Sequence, residues 1–196
     1  KIQAQGMSYS NPAVNTTSIS SWTSPTSGMA AVVYLNDTFH MWFSWYRSIF
    51  YATSADGVNW SLVGESITPG ARGGGGGAQE AYSVSQPTVV WNGTQFRAYY
   101  TGRATVSGDP YLHTATSADG MTWTKYGSAI LAAKKSEASV IYEAGESLYK
   151  MWYVDNSGSS PVIKYATSAG GTDWGDEGAH PVALQLGSGE DFDSQL

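Results

Sequence analysis

Residues 51–60 read Tyr-Ala-Thr-Ser-Ala-Asp-Gly-Val-Asn-Trp, and this stretch decides the fold because the chain repeats it twice. The second copy, residues 114–123, reads Thr-Ala-Thr-Ser-Ala-Asp-Gly-Met-Thr-Trp. The third copy, residues 165–174, reads Tyr-Ala-Thr-Ser-Ala-Gly-Gly-Thr-Asp-Trp. The serine that the copies share recurs after 63 and then after 51 residues. Self-similarity at a period of roughly 50 residues indicates an array of structural repeats.

Two β-rich runs precede each copy, and a turn joins the two runs. The first runs are residues 30–34, 87–91 and 138–142, and the second runs are residues 39–43, 96–100 and 149–153. Turns such as Asn36-Asp37 and Asn92-Gly93 between β-rich runs predict hairpins. The repeated Tyr-Ala-Thr-Ser supplies a third strand, and the Asp-Gly after it predicts a tight turn because glycine adopts a positive φ. The fourth, outer strands are predicted at residues 66–68, 129–131 and 181–184.

Each unit is therefore a four-stranded antiparallel sheet, which is the strand count of a β-propeller blade. The predicted fold class is all-β, a β-propeller-type array of three blades with partial strands at both ends. Residues 1–196 are expected to form a single partial β-propeller domain. Its blades are predicted at about residues 20–68, 80–131 and 134–184, and residues 1–19 and 185–196 are predicted to be strands of neighbouring blades.

Three blades do not close a ring, because propellers have at least four blades, and open sheets expose edges that associate. Three explanations stay open at this point: a fragment of a larger propeller, a homo-oligomer or missing partner segment that completes the propeller, or an open half-propeller. The second is favoured over an open monomer. Residues 72–78, which contain five consecutive glycines, are predicted to be a flexible inter-blade loop and alternatively a lid over a site.

The composition excludes several classes of function. The net charge is −6 with only 13% charged residues, which argues against nucleic acid as a partner. No apolar stretch reaches the length of a membrane helix, so no membrane partner is expected. No spacing of the histidines predicts a metal site, and the glycine run lacks the Lys-Ser/Thr ending of a phosphate loop, so no cofactor is predicted. Cysteine is absent; an extracellular or periplasmic location is favoured.

The second strands carry the clearest resemblance to a known family. Residues 41–44 (Met-Trp-Phe-Ser), 99–103 (Tyr-Tyr-Thr-Gly-Arg) and 151–153 (Met-Trp-Tyr) resemble a motif of the five-bladed propeller glycoside hydrolases, and Asp-Phe-Asp-Ser at 191–194 resembles their usual blade opening. That superfamily includes arabinanases, β-xylosidases, invertases and levansucrases, with related mannoside phosphorylases. The repeated turn is also similar to the Asp-box of sialidase propellers. This resemblance implies that Asp56 and Asp119 cap turns and that the tryptophans Trp60, Trp123 and Trp174 pack between blades.

The resemblance also implies a place for the catalytic acids. Glycoside hydrolases use paired carboxylates, and in the resembling family these lie at the central ends of innermost strands. Aligning the three innermost strands puts Met29, Gln86 and Glu137 in the equivalent position. Only Glu137 is a carboxylate, and the resemblance implies that it is a general acid. Its partner acid has no counterpart in this sequence, and a solvated glutamate at a strand end is the alternative interpretation.

Further residues near the strand ends are candidate sugar-binding groups, namely Trp45, Arg47, Gln86, Arg103 and Asp155, with Glu80 a weaker candidate acid. Aromatic faces stack on sugar rings, and guanidinium groups donate hydrogen bonds to hydroxyls or carboxylates. The alternative interpretations are that Trp45 packs in the core between blades and that the arginines form surface salt bridges. The favoured function is a carbohydrate-active protein, a glycoside hydrolase homologue with a carbohydrate ligand. The alternatives are a non-catalytic carbohydrate-binding module and a self-assembling half-propeller.

Overall fold

The computed structural model describes residues 29–70 and 77–185, and these form three four-stranded antiparallel sheets. The strands of blade 1 are β1 (Ala30–Leu35), β2 (Thr38–Trp45), β3 (Ser48–Ser54) and β4 (Ser61–Ile67). Those of blade 2 are β5 (Ser83–Trp91), β6 (Phe96–Arg103), β7 (Pro110–Ser117) and β8 (Thr124–Lys125). Those of blade 3 are β9 (Lys135–Glu143), β10 (Leu148–Asp155), β11 (Val162–Ser168) and β12 (Val182–Gln185). The predicted all-β class with four-stranded blades is confirmed.

The strands of every blade follow one another in chain order, so each blade is a simple meander. Within residues 29–70 and 77–185, two short 3-10 helices, Ala78–Glu80 and Glu177–Ala179, lie in the connections. No helix among the described residues is long and apolar enough to cross a membrane. The strands expected within 1–19 and beyond 185, the Asp-Phe-Asp-Ser at 191–194 and most of the glycine run lie outside the described residues.

The predicted turns have the expected backbone. Asn36 and Asp37 both adopt a positive φ, at 50° and 58°, which is the geometry of the tightest hairpin turn. In the second repeat, the Asp119 carboxylate accepts hydrogen bonds from the N–H groups of Met121 and Thr122, at 2.9 and 2.7 Å. These bonds from Thr122 and Met121 lower the pKa of Asp119 to about 2. Asp56 makes the matching bonds in the first repeat, which confirms the turn-capping role of both residues.

One of the three predicted outer strands is wrong. β4 contains most of the segment predicted at 66–68, and β12 overlaps the one predicted at 181–184, but residues 129–131 form no strand. The outer strand of blade 2 is only the two residues of β8. Gly127, with a φ of 90°, turns the chain away directly after it. Ile130 still donates a backbone hydrogen bond to the Leu112 carbonyl at 2.8 Å, so this segment follows β7 without forming a ladder.

The blades are joined by a contact that occurs twice. Trp42 on β2 donates its indole N–H to the Gly120 carbonyl of blade 2 at 2.7 Å. Tyr99 on β6 donates its hydroxyl to the Gly171 carbonyl of blade 3 at 3.1 Å. Gly120 and Gly171 are equivalent glycines of the repeated turn. Each second strand thus holds the turn of the following blade, and the hydrophobic core lies between the sheets at these contacts.

The sheet faces of blades 1 and 3 that point away from blade 2 carry residues equivalent to those of this contact. On blade 3, Trp152 is the equivalent of Trp42 and Tyr99, but it is only half-buried. Its ring lies 5.1 Å from that of Tyr165, the same separation as between Trp42 and Tyr51 in blade 1. On the opposite side of blade 1, a buried apolar cluster is formed by Met41, Phe43, Ala52 and Trp60. We call these surfaces the blade 3 face and the blade 1 face.

Candidate functional site

Gln86 and Glu137 occupy equivalent bulges at the beginning of neighbouring innermost strands. Both adopt a left-handed backbone, with φ of 54° and 55°, which is uncommon for residues other than glycine. A hydroxyl of the preceding blade holds each bulge: Ser44 accepts the Gln86 N–H at 2.7 Å, and Thr101 accepts the Glu137 N–H at 3.2 Å. Strained backbone held in this way is concentrated at functional sites.

The two bulges bring the side chains of Gln86 and Glu137 together. The Gln86 amide donates a hydrogen bond to the Glu137 carboxylate at 3.0 Å, and Glu137 is solvent-exposed. The third equivalent residue, Met29, offers no polar side-chain group to the site. The arrangement therefore presents one amide and one carboxylate side by side at the ends of β5 and β9.

Two cavities of about 430 Å³ each lie at this end of the sheets, and Arg103 lines both of them. The first cavity is lined by Tyr46, Arg47, Tyr82, Ser83, Ser85, Arg103 and Val106. The second cavity is lined by Arg103, Asp109, Pro110, Lys134, Ser136, Glu137 and Asn156. We call the two cavities together the strand-end groove. Their volumes lie within the range of natural small-molecule sites, roughly 300–1,000 Å³.

Both predicted arginines lie in the groove, and each is held in place. The Arg47 guanidinium lies 4.0 Å from the ring centre of Tyr82, in a cation–π stack. Arg103 donates a hydrogen bond to the Gly108 carbonyl at 2.6 Å, which anchors it to the β6–β7 loop. With Glu137, which lines the second cavity, and Gln86, which bonds to it, four of the six predicted site residues lie in or beside the groove.

Trp45 and Asp155 end β2 and β10 at the same end of the sheets but do not line the groove. The Trp45 ring packs against Phe50 at 4.9 Å and belongs to the apolar cluster of the blade 1 face. Asp155 is buried, with ion pairs to Lys135 at 3.0 Å and Lys164 at 3.1 Å. Burial opposes ionisation, but the hydrogen bonds from Ser157, Lys135 and Lys164 prevail and hold the pKa of Asp155 well below its usual range. The contacts of Asp155 tie together β9, β10 and β11.

Sequence reasoning missed several groove residues, of which Asp109 and Lys134 carry charge. Asp109 directly precedes β7, and the register pairs the next residue, Pro110, with Arg103. Lys134 directly precedes β9, three residues before Glu137. A hairpin register drawn from Arg103 could have found Asp109, because residues opposite each other on neighbouring strands share one end of the sheet.

A second polar cluster lies inside blade 2, away from the groove. Glu80 is fully buried and forms an ion pair with Lys125 at 3.1 Å. Burial raises the pKa of Glu80 and lowers the pKa of Lys125. Burial, with the nearby Lys125 charge, lowers the pKa of His113 to about 4. Because Glu80 ends the short helix after the glycine run, this cluster fixes that helix to blade 2.

No protein-family model matches the sequence, and a comparison with curated proteins finds no relative. Solved structures do match. A thermostable family-43 glycoside hydrolase matches with a TM-score of 0.68 at 15% identity, over 83% of this chain and 54% of its own. An endo-arabinase from Bacteroides thetaiotaomicron matches with 0.64 at 11% identity, over 76% of this chain and 53% of its own.

A third match is the β-1,2-mannobiose phosphorylase from Listeria innocua in complex with β-1,2-mannobiose. Its TM-score is 0.64 at 12% identity, over 82% of this chain and 60% of its own. The predicted resemblance to the propeller glycoside hydrolases is therefore confirmed for the fold. The chain spans a little over half the length of these proteins.

Proposed function

We propose that the strand-end groove binds a saccharide, as part of a carbohydrate-active propeller of the glycoside hydrolase type. The observation that carries this proposal is the hydrogen-bonded pair of Gln86 and Glu137 beside an open cavity. An amide and a carboxylate placed side by side offer both donors and acceptors to neighbouring sugar hydroxyls. The structural neighbours include a phosphorylase solved with bound β-1,2-mannobiose.

Aromatic residues of the first cavity support the same function. Tyr46 is 74% exposed and lines this cavity. An exposed ring offers an apolar face to the C–H surface of a sugar, while its hydroxyl stays in water. Tyr82 lies beside it with one face covered by Arg47. Polar groups that fix orientation beside apolar surface are typical of small-molecule sites.

The test is a titration of the chain with a panel of oligosaccharides, followed by calorimetry. Gln86→Ala removes one hydrogen-bonding group and is expected to weaken binding about 3- to 10-fold, since one neutral hydrogen bond contributes about 0.5–1.5 kcal/mol. Gln185→Ala, on the exposed outer strand of blade 3, is the matched control and should leave the affinity unchanged. Equal binding by both variants, or no binding of any saccharide, would refute the proposal.

Hydrolysis of a glycosidic bond is the second candidate function. Glu137 lies where the resemblance expects the general acid, and Asp109 is a second carboxylate in the same cavity. Two carboxylates flanking a glycosidic bond are the usual apparatus of glycoside hydrolysis. We expect Glu137→Gln and Asp109→Asn each to abolish release of the aryl group from aryl glycosides. A Glu137→Gln variant with full turnover would exclude Glu137 as the acid.

The proposal includes a partner for the blade 3 face. Trp152 on the blade 3 face repeats Trp42 and Tyr99, whose partners are turn glycines of the following blade. The matching glycine of blade 1, Gly57, is only half-buried, whereas Gly120 and Gly171 are buried. We infer that a second copy of the chain brings the Gly57 turn of its blade 1 to Trp152 on the blade 3 face, so that two copies complete one propeller.

A further inference from the structure

Among the described residues, few positively charged side chains lack an ion-pair partner. Eight lysines and arginines are described, and every lysine except Lys134 forms an ion pair with a carboxylate. No ion pair within residues 29–70 and 77–185 involves Arg47, Arg97 or Arg103. Arg97 lies between blades 2 and 3, with its guanidinium 5.4 Å from the Tyr149 ring centre. The other three cations all line the strand-end groove.

The two cavities of the groove differ in charge. In the second cavity, Lys134 and Arg103 lie with the carboxylates of Asp109 and Glu137, so the charges there balance. Among the described residues, the first cavity is lined by Arg47 and Arg103 and by no carboxylate. The sequence as a whole carries a net charge of −6. Two unpaired guanidinium groups at one cavity of an acidic protein mark a local positive site, where an anion would be attracted.

Both guanidinium groups are held before any ligand arrives. The Tyr82 ring supports one face of Arg47, and the Gly108 carbonyl takes one N–H of Arg103. The remaining N–H donors of each group stay available, since a guanidinium carries five. The side chains of Ser83 and Ser85 line the same cavity. Planar guanidinium groups match the paired oxygens of a carboxylate or sulfate, and side chains fixed in advance lose less entropy on binding.

We propose that the first cavity is an anion subsite, which binds the negatively charged group of an acidic saccharide between Arg47 and Arg103. The charged group is the carboxylate of a uronic acid or the oxygen atoms of a sulfate ester, which share the same recognition chemistry. The neutral part of the saccharide continues past Arg103 into the second cavity, beside Gln86 and Glu137. This inference rests on the proposed saccharide binding and adds the class of sugar.

The test begins with an array of neutral, uronate-containing and sulfated oligosaccharides. The best acidic ligand is then compared by calorimetry with the same oligosaccharide after its charge is removed, by methyl esterification of a uronate or by desulfation. We expect the acidic form to bind at least about 10-fold tighter, since hydrogen bonds to charged groups contribute about 1.5–3 kcal/mol. Its affinity should fall as sodium chloride is raised, while that of the neutral form should not. The array result distinguishes a uronate from a sulfate ester.

Arginine variants test whether the preference for acidic saccharides arises in the first cavity. Arg47→Gln and Arg103→Gln should each reduce the ratio of the acidic to the neutral affinity to within about 2-fold of one, whatever their effect on the neutral affinity itself. Lys150→Gln removes the same charge from blade 3, outside both cavities, and should leave the preference intact. Equal binding of acidic and neutral forms, or a preference that survives both arginine variants, would overturn the anion subsite alone. Failure of every saccharide to bind would overturn the proposed function as well.

Discussion

Single glycines set how closely the blades approach. A Cβ atom added to Gly120 would lie 2.8 Å from the Trp42 ring, and one added to Gly171 would lie 2.6 Å from the Tyr99 hydroxyl. Both residues also adopt a positive φ, at 78° and 73°. At Gly120 and Gly171 the need for glycine therefore has two causes, a left-handed backbone and a neighbouring blade in contact, whereas Gly57, with a φ of 74°, shows only the first.

Gly120→Ala tests the second of these causes. We expect it to lower the free energy of unfolding by about 3 kcal/mol, because backbone strain of about 1–2 kcal/mol adds to a clash with a buried ring. Gly175→Ala is the control, since Gly175 has a φ of 74° and no atom within 4 Å of the added Cβ. Gly175→Ala should lower the free energy of unfolding only by the backbone strain. Urea denaturation measures both, and equal losses would show that the approach of Trp42 imposes no constraint.

His113 makes stability depend on pH. Its folded pKa of about 4 lies below the ordinary value of 6.5, so between these values the unfolded chain binds a proton that the folded chain does not. The free energy of unfolding should therefore fall as pH falls, by about 2 kcal/mol between pH 7 and 5. The raised pKa of Glu80 acts in the opposite direction.

The comparison is with His113→Gln, measured by urea denaturation at pH 7, 6 and 5. In the variant, the free energy of unfolding should lack the part of the pH dependence that His113 causes, whatever the stability of the variant at pH 7. His40, whose pKa is also lowered by burial, is present in both proteins and cancels in the difference. Parallel pH profiles for the two proteins would contradict the assignment.

Strands were easier to predict from this sequence than the side chains at their ends. The blades could be located because the same pattern of strands and turns occurs three times in the sequence. Aligning the three innermost strands then identified Gln86 and Glu137. The prediction of Trp45 was one residue away from Tyr46, which lines the groove. Trp45 is the last residue of β2, whereas Tyr46 lies in the turn after it with a positive φ of 58°, so the turn and not the strand directs the Tyr46 side chain. The bulges depend on hydroxyls of the preceding blade, which no local pattern reveals.

Thr101→Val tests the support of one bulge. The change keeps the side-chain shape but removes the oxygen that accepts the Glu137 N–H. We expect a loss of stability of about 1–3 kcal/mol from the unpaired N–H, and weaker saccharide binding because Glu137 is no longer held. Thr114→Val is matched to it, since Thr114 is equally buried and its hydroxyl bonds the Ala98 carbonyl inside blade 2. This control should lose stability but keep its affinity; equal affinity losses in the two variants would contradict the role of the bulge.

At the scale of the whole molecule, two pairs of blades make the inter-blade contact, and Trp152 and Gly57 are the residues that would make it a third time. Gly120 illustrates the pattern, because its carbonyl accepts both the Trp42 indole and the Trp123 indole of its own turn. The Gly57 carbonyl accepts the Trp60 indole at 3.1 Å and has its second lone pair available for Trp152. Copies that associate through two different faces form a closed ring when the rotation from one copy to the next adds up to a full turn. Two copies with three blades each would form a ring of six blades.

Solution mass therefore decides how the propeller is completed. We expect light scattering to give twice the 20.9 kDa of one chain, with dissociation on dilution. Trp152→Ala removes the donor and its ring from the blade 3 face and should raise the dissociation constant at least about 10-fold, because buried tryptophans dominate interfaces. Tyr126→Ala, which removes an exposed aromatic side chain from blade 2, should leave the mass unchanged. A monomer at every concentration would contradict pairing between copies.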